Sequence, residues 1–272
     1  ETLGSNISLK EDLEKGISGN KIIEQIRELT DVYYVTKNNN SITVYEDGTI
    51  EDGKLDIWDG KSKSKPTIDN EGNWHIYTTN ELKYFADFIN GTLTEEEKGS
   101  LQITDKTIVY LESNLDLGAR QIDGELTRGT AWTSIGIGSN RFIGTFEGNN
   151  YFVKGVYVKQ TAIFAGFFGT SSNKIKDLVI KSSYIEGSKY VGGIVGGIPS
   201  GNVEGCKNID TKVKGDAAIG GIVGYINSNC YVSGCTNEGE VFSNQEGIGI
   251  GEIVGQAQKN SGLEYCYNRG RV

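Results

Sequence analysis

The sequence predicts an all-β protein whose main part is a right-handed parallel β-helix, and three observations carry that prediction. A glycine-aliphatic phrase recurs in the second half of the chain, as GGIVG at 192–196 and 220–224, GEIVG at 251–255 and an aromatic version at 165–169. Glycine is abundant, with 38 residues, whereas the chain has 2 prolines. Other positions recur at matching distances from each phrase. Such a period indicates the stacked units of a solenoid.

Alignment of the repeats on these glycines brings further positions into register. The aliphatic runs that begin at Ile175, Val203, Val232 and Leu263 are spaced by 28, 29 and 31 residues. An earlier run at 153–156 aligns with 175–178 at an offset of 22. Two sets of equivalent positions in successive repeats, which we call columns, follow these runs, and we expect each to form a structural ladder. The first column is Leu178, Cys206, Cys235 and Cys266, and the second is Asn208, Asn237 and Asn268.

Each repeat therefore offers three short β-runs separated by polar turns. In a parallel β-helix, each coil lies about 4.8 Å above the last, so that like side chains stack directly on like. Glycines serve the corners, where the backbone bends sharply. The right-handed winding follows from the general rule for parallel crossover connections.

Residues 1–57 are predicted to form a separate, small α+β module. Ser8 and Glu11 have capping-box spacing, and apolar residues recur at helical intervals to about residue 30. The runs at 32–35 and 42–45 flank an Asn-rich turn, which predicts a β-hairpin. A Lys/Ser-rich segment at 61–66 is the best linker in the chain, and we assign residues 58–272 to the β-helix.

A helix near residues 80–90 is predicted to cap the first coil. Thr79 and Asn80 provide its N-terminal cap, and one apolar face is shared by Leu82, Phe85, Ala86 and Ile89. A β-helix has unpaired strands at both ends, and these recruit other strands unless they are covered. The helix is expected to cover the first end.

The C-terminal coil is expected to present an open edge. Val272 aligns with Ile185, Val213 and Val241, so we expect it to occupy a strand position of the last coil. We expect edge-to-edge contact at this coil, or its completion by other residues. Glu252 replaces the second glycine of the last phrase, as in the atypical end units of solenoids.

Several runs appear in a fixed order ahead of the glycine phrases: Trp58-Asp59-Gly60, Trp74 to Tyr77 before the helix, Leu115-Asp116-Leu117-Gly118, and the segments at 132–136 and 142–149. This ordered series, over about residues 58–272, resembles GLUG-motif proteins. That family is bacterial, and its repeats occur on secreted or cell-surface proteins, including adhesin-like proteins and some IgA-specific peptidases. The resemblance implies an extracellular or cell-surface location and a role in adhesion or as a structural stalk.

Composition argues against some classes of partner, and the resemblance suggests others. The net charge of −9 and the absence of a concentrated basic patch argue against nucleic-acid binding. The sequence has no apolar stretch approaching the roughly 18 to 20 residues of a membrane span, so we expect no membrane insertion in this segment. We expect no cofactor. The expected partners are a host glycan, a matrix protein or other surface proteins.

The sequence lacks a convincing catalytic constellation. His75 is the one histidine, whereas a zinc protease helix needs two, and we expect it to be structural. Aligned columns stack no two acids on adjacent coils. Asp210 and Glu238 come close to alignment, but Arg269 is their neighbour, so solvated turn residues explain them. We therefore predict a non-enzymatic module. The alternatives are a polysaccharide-cleaving β-helix enzyme and a filament subunit, because the N-terminal helix and hairpin resemble a type IV pilin.

Three residue sets remain as weaker candidates. The four cysteines do not have the spacing of a zinc site. The stacked cysteines either are free thiols that act as small buried hydrophobic side chains or form disulfides between adjacent coils, and the sequence does not decide between these alternatives. Acidic residues before the linker are a calcium candidate: Asp47, Asp52, Asp56 and Asp59. Tyrosines suggest an aromatic strip for a sugar or a partner protein: Tyr157, Tyr184, Tyr190, Tyr225 and Tyr231.

Overall fold

The computed structural model describes the strands at Tyr33–Lys37, Asn40–Val44 and Ile50–Asp52, and residues 55–244 and 249–272. The chain divides into two compact units, Glu1–Leu55 and Asp56–Val272. The helix that the sequence predicts in residues 1–30 lies outside the described residues. No helix among the described residues has the length and apolar character needed to cross a membrane.

The first unit contains an antiparallel sheet of three strands. Strands β1 (Tyr33–Lys37) and β2 (Asn40–Val44) form the hairpin expected around the Asn-rich turn, with Tyr33 opposite Val44. Strand β3 (Ile50–Asp52) pairs with the other edge of β2. The acidic residues between Glu46 and Gly60 predict a turn region, but Ile50–Asp52 within it is a strand, because its backbone pairs with the free edge of β2.

The second unit is a parallel β-solenoid, which confirms the predicted fold class. Its strands stack in columns that we call lanes A to E, in the order in which a coil visits them. Lane A consists of β6 (Trp74–Ile76), β7 (Ile108–Leu111), β11 (Thr145–Glu147), β16 (Ile175–Lys176), β21 (Asn202–Glu204), β25 (Tyr231–Ser233) and β29 (Gly262–Glu264), with β5 (Thr67–Ile68) antiparallel on β6.

Lanes B and C form the next side of each coil and share two long strands. Lane B consists of β4 (Asp56–Ile57), β8 (Leu115–Asp116), β12 (Phe152–Lys154), β17 (Val179–Lys181), the first part of β22 (Lys207–Gly215), the first part of β26 (Thr236–Ser243) and β30 (Tyr267–Asn268). Lane C consists of β13 (Tyr157–Lys159), β18 (Tyr184–Glu186) and the second parts of β22 and β26.

Lanes D and E contain the glycine phrases. Lane D consists of β14 (Phe164–Ala165), β19 (Tyr190–Gly192), β23 (Ile219–Gly220) and β27 (Ile250–Gly251). Lane E consists of β15 (Phe168–Thr170), β20 (Val195–Ile198), β24 (Val223–Ile226) and β28 (Val254–Ala257). The coils at 145–170 and 175–198 thus have five short strands each, and the next two coils have four each, because lanes B and C share one long strand there. The sequence predicts three, and this is wrong because each glycine phrase spans the end of one strand, a turn and the start of the next.

The predicted helix is present as α1 (Thr79–Asn90), between the first two strands of lane A. Its N-cap is Thr78, one residue before the predicted cap, because Thr78 and Glu81 form a reciprocal capping box. Leu82 and Phe85 are fully buried, and the Phe85 ring lies 5.5 Å from that of Phe142 and 5.9 Å from that of Phe146. A second short helix, α2 (Glu95–Lys98), follows.

The interior changes character along the solenoid. The N-terminal coils and α1 pack large rings together, whereas later coils fill the same columns with aliphatic side chains and cysteines. One inward column of lane A, in register from coil to coil, shows the trend: Trp74, Val109, Phe146, Ile175, Val203, Val232 and Leu263. The spacings predicted for Ile175, Val203, Val232 and Leu263 are confirmed by this register.

A hairpin outside the lanes was not anticipated from the sequence. Strands β9 (Arg120–Ile122) and β10 (Glu125–Arg128) pair only with each other, around a turn at Asp123 and Gly124 with positive φ. The hairpin packs on the outer face of lane C, where Leu126 contacts the buried pair of rings Tyr157 and Tyr184. It lengthens the coil between β7 and β11 relative to the later coils.

Candidate functional site

The cysteine column lies in the interior behind lanes A and B. Cys206 and Cys235 are fully buried and Cys266 is half-buried, and all four cysteines of the chain are free thiols. Hydrogen bonding to Cys206, together with burial, raises the pKa of Cys235, and hydrogen bonding to Cys235 raises that of Cys266. The raised pKa values keep the thiols of Cys235 and Cys266 protonated, so these two side chains are poorly suited to nucleophilic chemistry. The buried cysteines of the column act as small hydrophobic side chains.

The asparagine column forms a continuous hydrogen-bonded ladder through the interior. The Asn208 Nδ2 group donates to Asn237 Oδ1 at 2.9 Å, and Asn237 Nδ2 donates to Asn268 Oδ1 at 2.8 Å. The backbone N–H of Gly239 also donates to Asn237 Oδ1, at 3.2 Å. Asn208 and Asn237 are fully buried, so the ladder supplies partners that water cannot provide. The ladder thus links three successive coils through side-chain hydrogen bonds.

The structure does not assemble the four aspartates of the calcium candidate into one described site. Asp47 lies outside the described residues, Asp52 is in β3 of the first unit, and Asp56 is in β4 of the second. The Asp59 carboxylate closes a turn by accepting from the backbone N–H groups of Lys61 and Ser62. In the described ranges, no group of three or more His, Cys, Asp or Glu side chains has the arrangement of a metal site.

The outer column of lane A alternates acids with a lysine. Glu147, Lys176 and Glu204 occupy successive coils in register, followed by Ser233 and Glu264. Lys176 Nζ lies 3.0 Å from Asp177 Oδ2 and 3.1 Å from Glu147 Oε2, and hydrogen bonds to these carboxylates raise the pKa of Lys176. Lys176 therefore pairs with an acid on the preceding coil and with an acid on its own coil, while Glu204 pairs with Lys174 at 3.0 Å.

The charged residues at the corner between lanes B and C line a surface depression of about 370 Å³. Asp210, Glu238 and Arg269 lie there, as their sequence alignment suggested. Arg269 Nη1 is 3.6 Å from Glu238 Oε1, and Arg271 Nη1 is 3.5 Å from Glu240 Oε1. The two arginines are 74% and 87% exposed, so these pairs are solvated surface interactions.

The five tyrosines do not form one strip. Tyr157 and Tyr184 stack with ring centroids 5.4 Å apart and are buried beneath the β9–β10 hairpin. Tyr190 belongs to lane D and Tyr225 to lane E. The centroid of the Tyr190 ring lies 5.0 Å from that of Phe164 and 4.9 Å from that of Tyr225. Tyr231 is exposed on lane A. The half-buried rings that face outward together are therefore Phe164, Tyr190 and Tyr225.

His75 lies between two carboxylates on the outer face of lane A. Its Nδ1 is 2.7 Å from Glu112 Oε1 and its Nε2 is 3.4 Å from Asp69 Oδ2. The imidazole stacks on the Tyr110 ring, with centroids 5.1 Å apart. The hydrogen bond to Glu112 raises the pKa of His75 above its ordinary 6.5. Protonated His75, in β6, thus bridges Asp69, directly after β5, and Glu112, directly after β7.

Replacement of His75 by glutamine is expected to cost stability at acidic pH only. Because the folded-state pKa is raised, the histidine contribution is fully present below the unfolded pKa near 6.5 and disappears as pH rises through the folded value. Asp69, whose pKa is lowered to about 2 chiefly by the Asn73 N–H, stays ionised throughout that range. Urea unfolding of both proteins between pH 5.5 and pH 9 measures the difference, and a difference that does not change with pH would refute this account.

Sequence reasoning missed a buried charged cluster on lane B. Asp116 and Lys154 are 0% and 2% exposed, and Lys154 Nζ lies 3.2 Å from Asp116 Oδ2. Arg120 Nη2 lies 3.2 Å from the same oxygen. The two partners are 38 residues apart, outside the repeat spacing, because the β9–β10 hairpin lies between them. An Asp in an otherwise apolar run was the signal that could have found the site.

Comparison with known proteins gives a fold resemblance. No protein-family description matches the chain, and no curated protein matches it. Among solved structures, the chain is similar to a protein from Bacteroides ovatus described as a putative immunoglobulin A1 protease. The identity is 14%, the match covers 76% of this chain and 78% of that one, and the TM-score is 0.47. The chain is a β-solenoid module that resembles this structure.

Proposed function

We propose that this chain is a non-enzymatic structural stalk, part of an extracellular bacterial protein, which holds other parts of that protein at a fixed spacing. The observation that carries the proposal is that charged side chains on the outer columns pair across coils. The pairs that link neighbouring coils are Lys176 with Glu147, Lys174 with Glu204, Lys214 with Glu186, Arg269 with Glu238, and Arg271 with Glu240.

These pairs give the outer surface a structural use. Their N···O distances run from 3.0 Å for Lys174 to 3.7 Å for Lys214, and each joins residues 28 to 31 positions apart in sequence. A surface pair contributes only about 0.5 kcal/mol, but a repeated series favours one register of the coils. The ordered runs that resemble GLUG-motif proteins support the extracellular location.

Adhesion is the second candidate, and the outward-facing rings favour it. Phe164, Tyr190 and Tyr225 lie half-buried side by side, and Lys189 Nζ lies 4.8 Å from the Tyr190 ring centroid. Aromatic rings next to a cation and to polar groups such as Asn227, which accepts from the Tyr225 hydroxyl at 3.2 Å, suit a glycan or a matrix protein.

Binding of the purified chain to glycan and host-matrix arrays separates the two roles. A stalk is expected to give no signal above that of the heat-unfolded chain. Saturable binding that Tyr225→Ala abolishes, and that Tyr231→Ala on lane A leaves unchanged, would replace the stalk by an adhesin. Release of sugar fragments from a polysaccharide on the array would instead support the enzyme alternative.

A further inference from the structure

The buried cluster on lane B brings an amine and a carboxyl group into contact on neighbouring coils. Asp116 in β8 and Lys154 in β12 are paired residues of adjacent parallel strands. Lys154 Nζ lies 3.2 Å from Asp116 Oδ2, and the two side chains are 2% and 0% exposed. Water is therefore nearly excluded from the space between the two functional groups.

The surroundings hold the carboxyl group in one orientation. The backbone N–H of Gly118 donates to Asp116 Oδ1 at 2.8 Å, and Arg120 reaches both oxygens, with Nη2 3.2 Å from Oδ2 and Nη1 3.5 Å from Oδ1. Gly155 has φ +64, and a Cβ there would lie 2.8 Å from Asp116 Oδ1. The glycine thus leaves room for the carboxyl group and its two donors.

The charges in this cluster would favour a reaction between the lysine and the aspartate that leaves an uncharged group. Among the described residues, the Lys154 and Arg120 cations both lie against the Asp116 carboxylate, and burial makes each unsolvated charge costly. Condensation of the lysine with the aspartate would remove two of these charges. The carbonyl of the resulting amide would keep Gly118 and Arg120 as donors, so that no buried acceptor would be left without a partner.

We propose that Lys154 and Asp116 join in an intramolecular isopeptide bond. One proton passes from Nζ to Oδ2, which gives an amine and a carboxylic acid. The Nζ lone pair attacks Cγ, the C–N bond forms, and the π electrons move to Oδ1, where the Gly118 N–H and Arg120 stabilise the oxyanion. A second proton passes from Nζ to Oδ2, the Cγ–Oδ2 bond breaks, and water leaves as the C=O bond re-forms. The ammonium group supplies both hydrogens of the water, so no co-reactant is needed.

The bond would link two coils covalently across the β9–β10 insertion. It would close a loop of the chain between residues 116 and 154 and reduce the entropy of the unfolded state, as a disulfide does. The inference is independent of the proposed function, since an adhesin or an enzyme on the same scaffold could carry the same cross-link.

The test is the intact mass of the purified full chain, followed by a tryptic peptide map. The expected mass is that of the sequence less one water molecule, and the peptides that contain Asp116 and Lys154 are expected to elute as one branched species. Lys154→Met removes the amine, and this variant is expected to show its full sequence mass.

An exposed ion pair in the same chain serves as the matched control. Lys159 Nζ lies 2.7 Å from Glu125 Oε1, closer than the buried pair, but the two side chains are 41% and 77% exposed. Lys159→Met is expected to keep the water loss. A wild-type chain of full mass with separate Asp116 and Lys154 peptides would overturn the proposal. So would a water loss that maps to a single unbranched peptide, such as one that contains Asp123-Gly124.

Discussion

Gly224→Ala is expected to destabilise the solenoid by about 3 kcal/mol, the upper end of the cost of overpacking. A Cβ at residue 224 would lie 2.4 Å from the backbone N of Val191, 2.5 Å from the carbonyl carbon of Tyr190 and 2.6 Å from the oxygen of Gly196. All three atoms belong to the backbone, so a side-chain rotation cannot relieve the clash. The lane E strand must therefore shift away from lane D of the preceding coil.

The same contact recurs in the neighbouring coils and explains the glycine phrase. A Cβ at Gly196 would lie 2.5 Å from the backbone N of Ala165, and one at Gly255 would lie 2.3 Å from the carbonyl carbon of Ala218. The last glycine of each phrase thus lets two layers of backbone touch without a side chain between them. Glycine recurs at this position in successive coils because a side chain there would prevent the backbone contact.

Urea unfolding of Gly224→Ala against Gly262→Ala measures this effect. A Cβ at Gly262 would meet only two atoms of the exposed Tyr231 ring, at 3.2 and 3.3 Å, and that ring can move aside. We expect the control to change the unfolding free energy by less than about 0.5 kcal/mol. Equal stability of the two variants would show that lanes D and E do not pack backbone to backbone.

Asn237→Ala is expected to cost about 3 kcal/mol, because it interrupts the ladder at its centre. The substitution leaves Asn208 Nδ2 and the Gly239 N–H without their acceptor, and Asn268 Oδ1 without its donor. Asn237 is fully buried, so that water reaches these groups poorly. Each buried group left unpaired costs about 1 kcal/mol or more.

Asn268→Ala is the matched control for the ladder. Asn268 makes the same contacts to Asn237 on one side, but it is only partly buried, and solvent can replace it. We expect a loss of about 1 kcal/mol in urea unfolding. If the two alanine variants lose the same free energy, the hydrogen bonds of Asn237 contribute nothing beyond those of an exposed asparagine.

The later coils could be predicted from the sequence because they contain no insertions. The spacing of Val203, Val232 and Leu263 equals the length of one coil, and the structure pairs these residues in register. The alignment of residues 153–156 with 175–178 is wrong: Val153 pairs with Ile180, and Phe146 pairs with Ile175. Similar four-residue runs occur at two corners of a coil, so a short match does not identify the corner.

The buried charged cluster could not be predicted from repeat spacing. Asp116 and Lys154 meet because the β9–β10 hairpin projects from the coil that joins them, and that hairpin has no counterpart in later repeats. The residue that follows Lys154 in the column is Lys181, and then Ile209, so the column does not repeat one chemistry. Ladder arguments find residues that recur, whereas this pair occurs once.

The central claim is that the coils stack in a fixed register, so that a residue acts on its neighbour one coil away. Ile180 lies directly beside Asn208, whose buried Oδ1 has no partner among the described residues, whereas Ile185 lies beside Val213. Both isoleucines are fully buried. Ile180→Asn would add a rung to the asparagine ladder, with its Nδ2 placed to donate to Asn208.

The most direct test is the unfolding free energy of Ile180→Asn against Ile185→Asn. Each variant exchanges a buried isoleucine for the same polar side chain, so the difference between them isolates the new hydrogen bond. Ile185→Asn is expected to lose about 4 kcal/mol, since its amide is buried without a partner. Ile180→Asn is expected to lose at least about 1 kcal/mol less. Equal losses, or a greater loss for Ile180→Asn, would contradict the register on which the account rests.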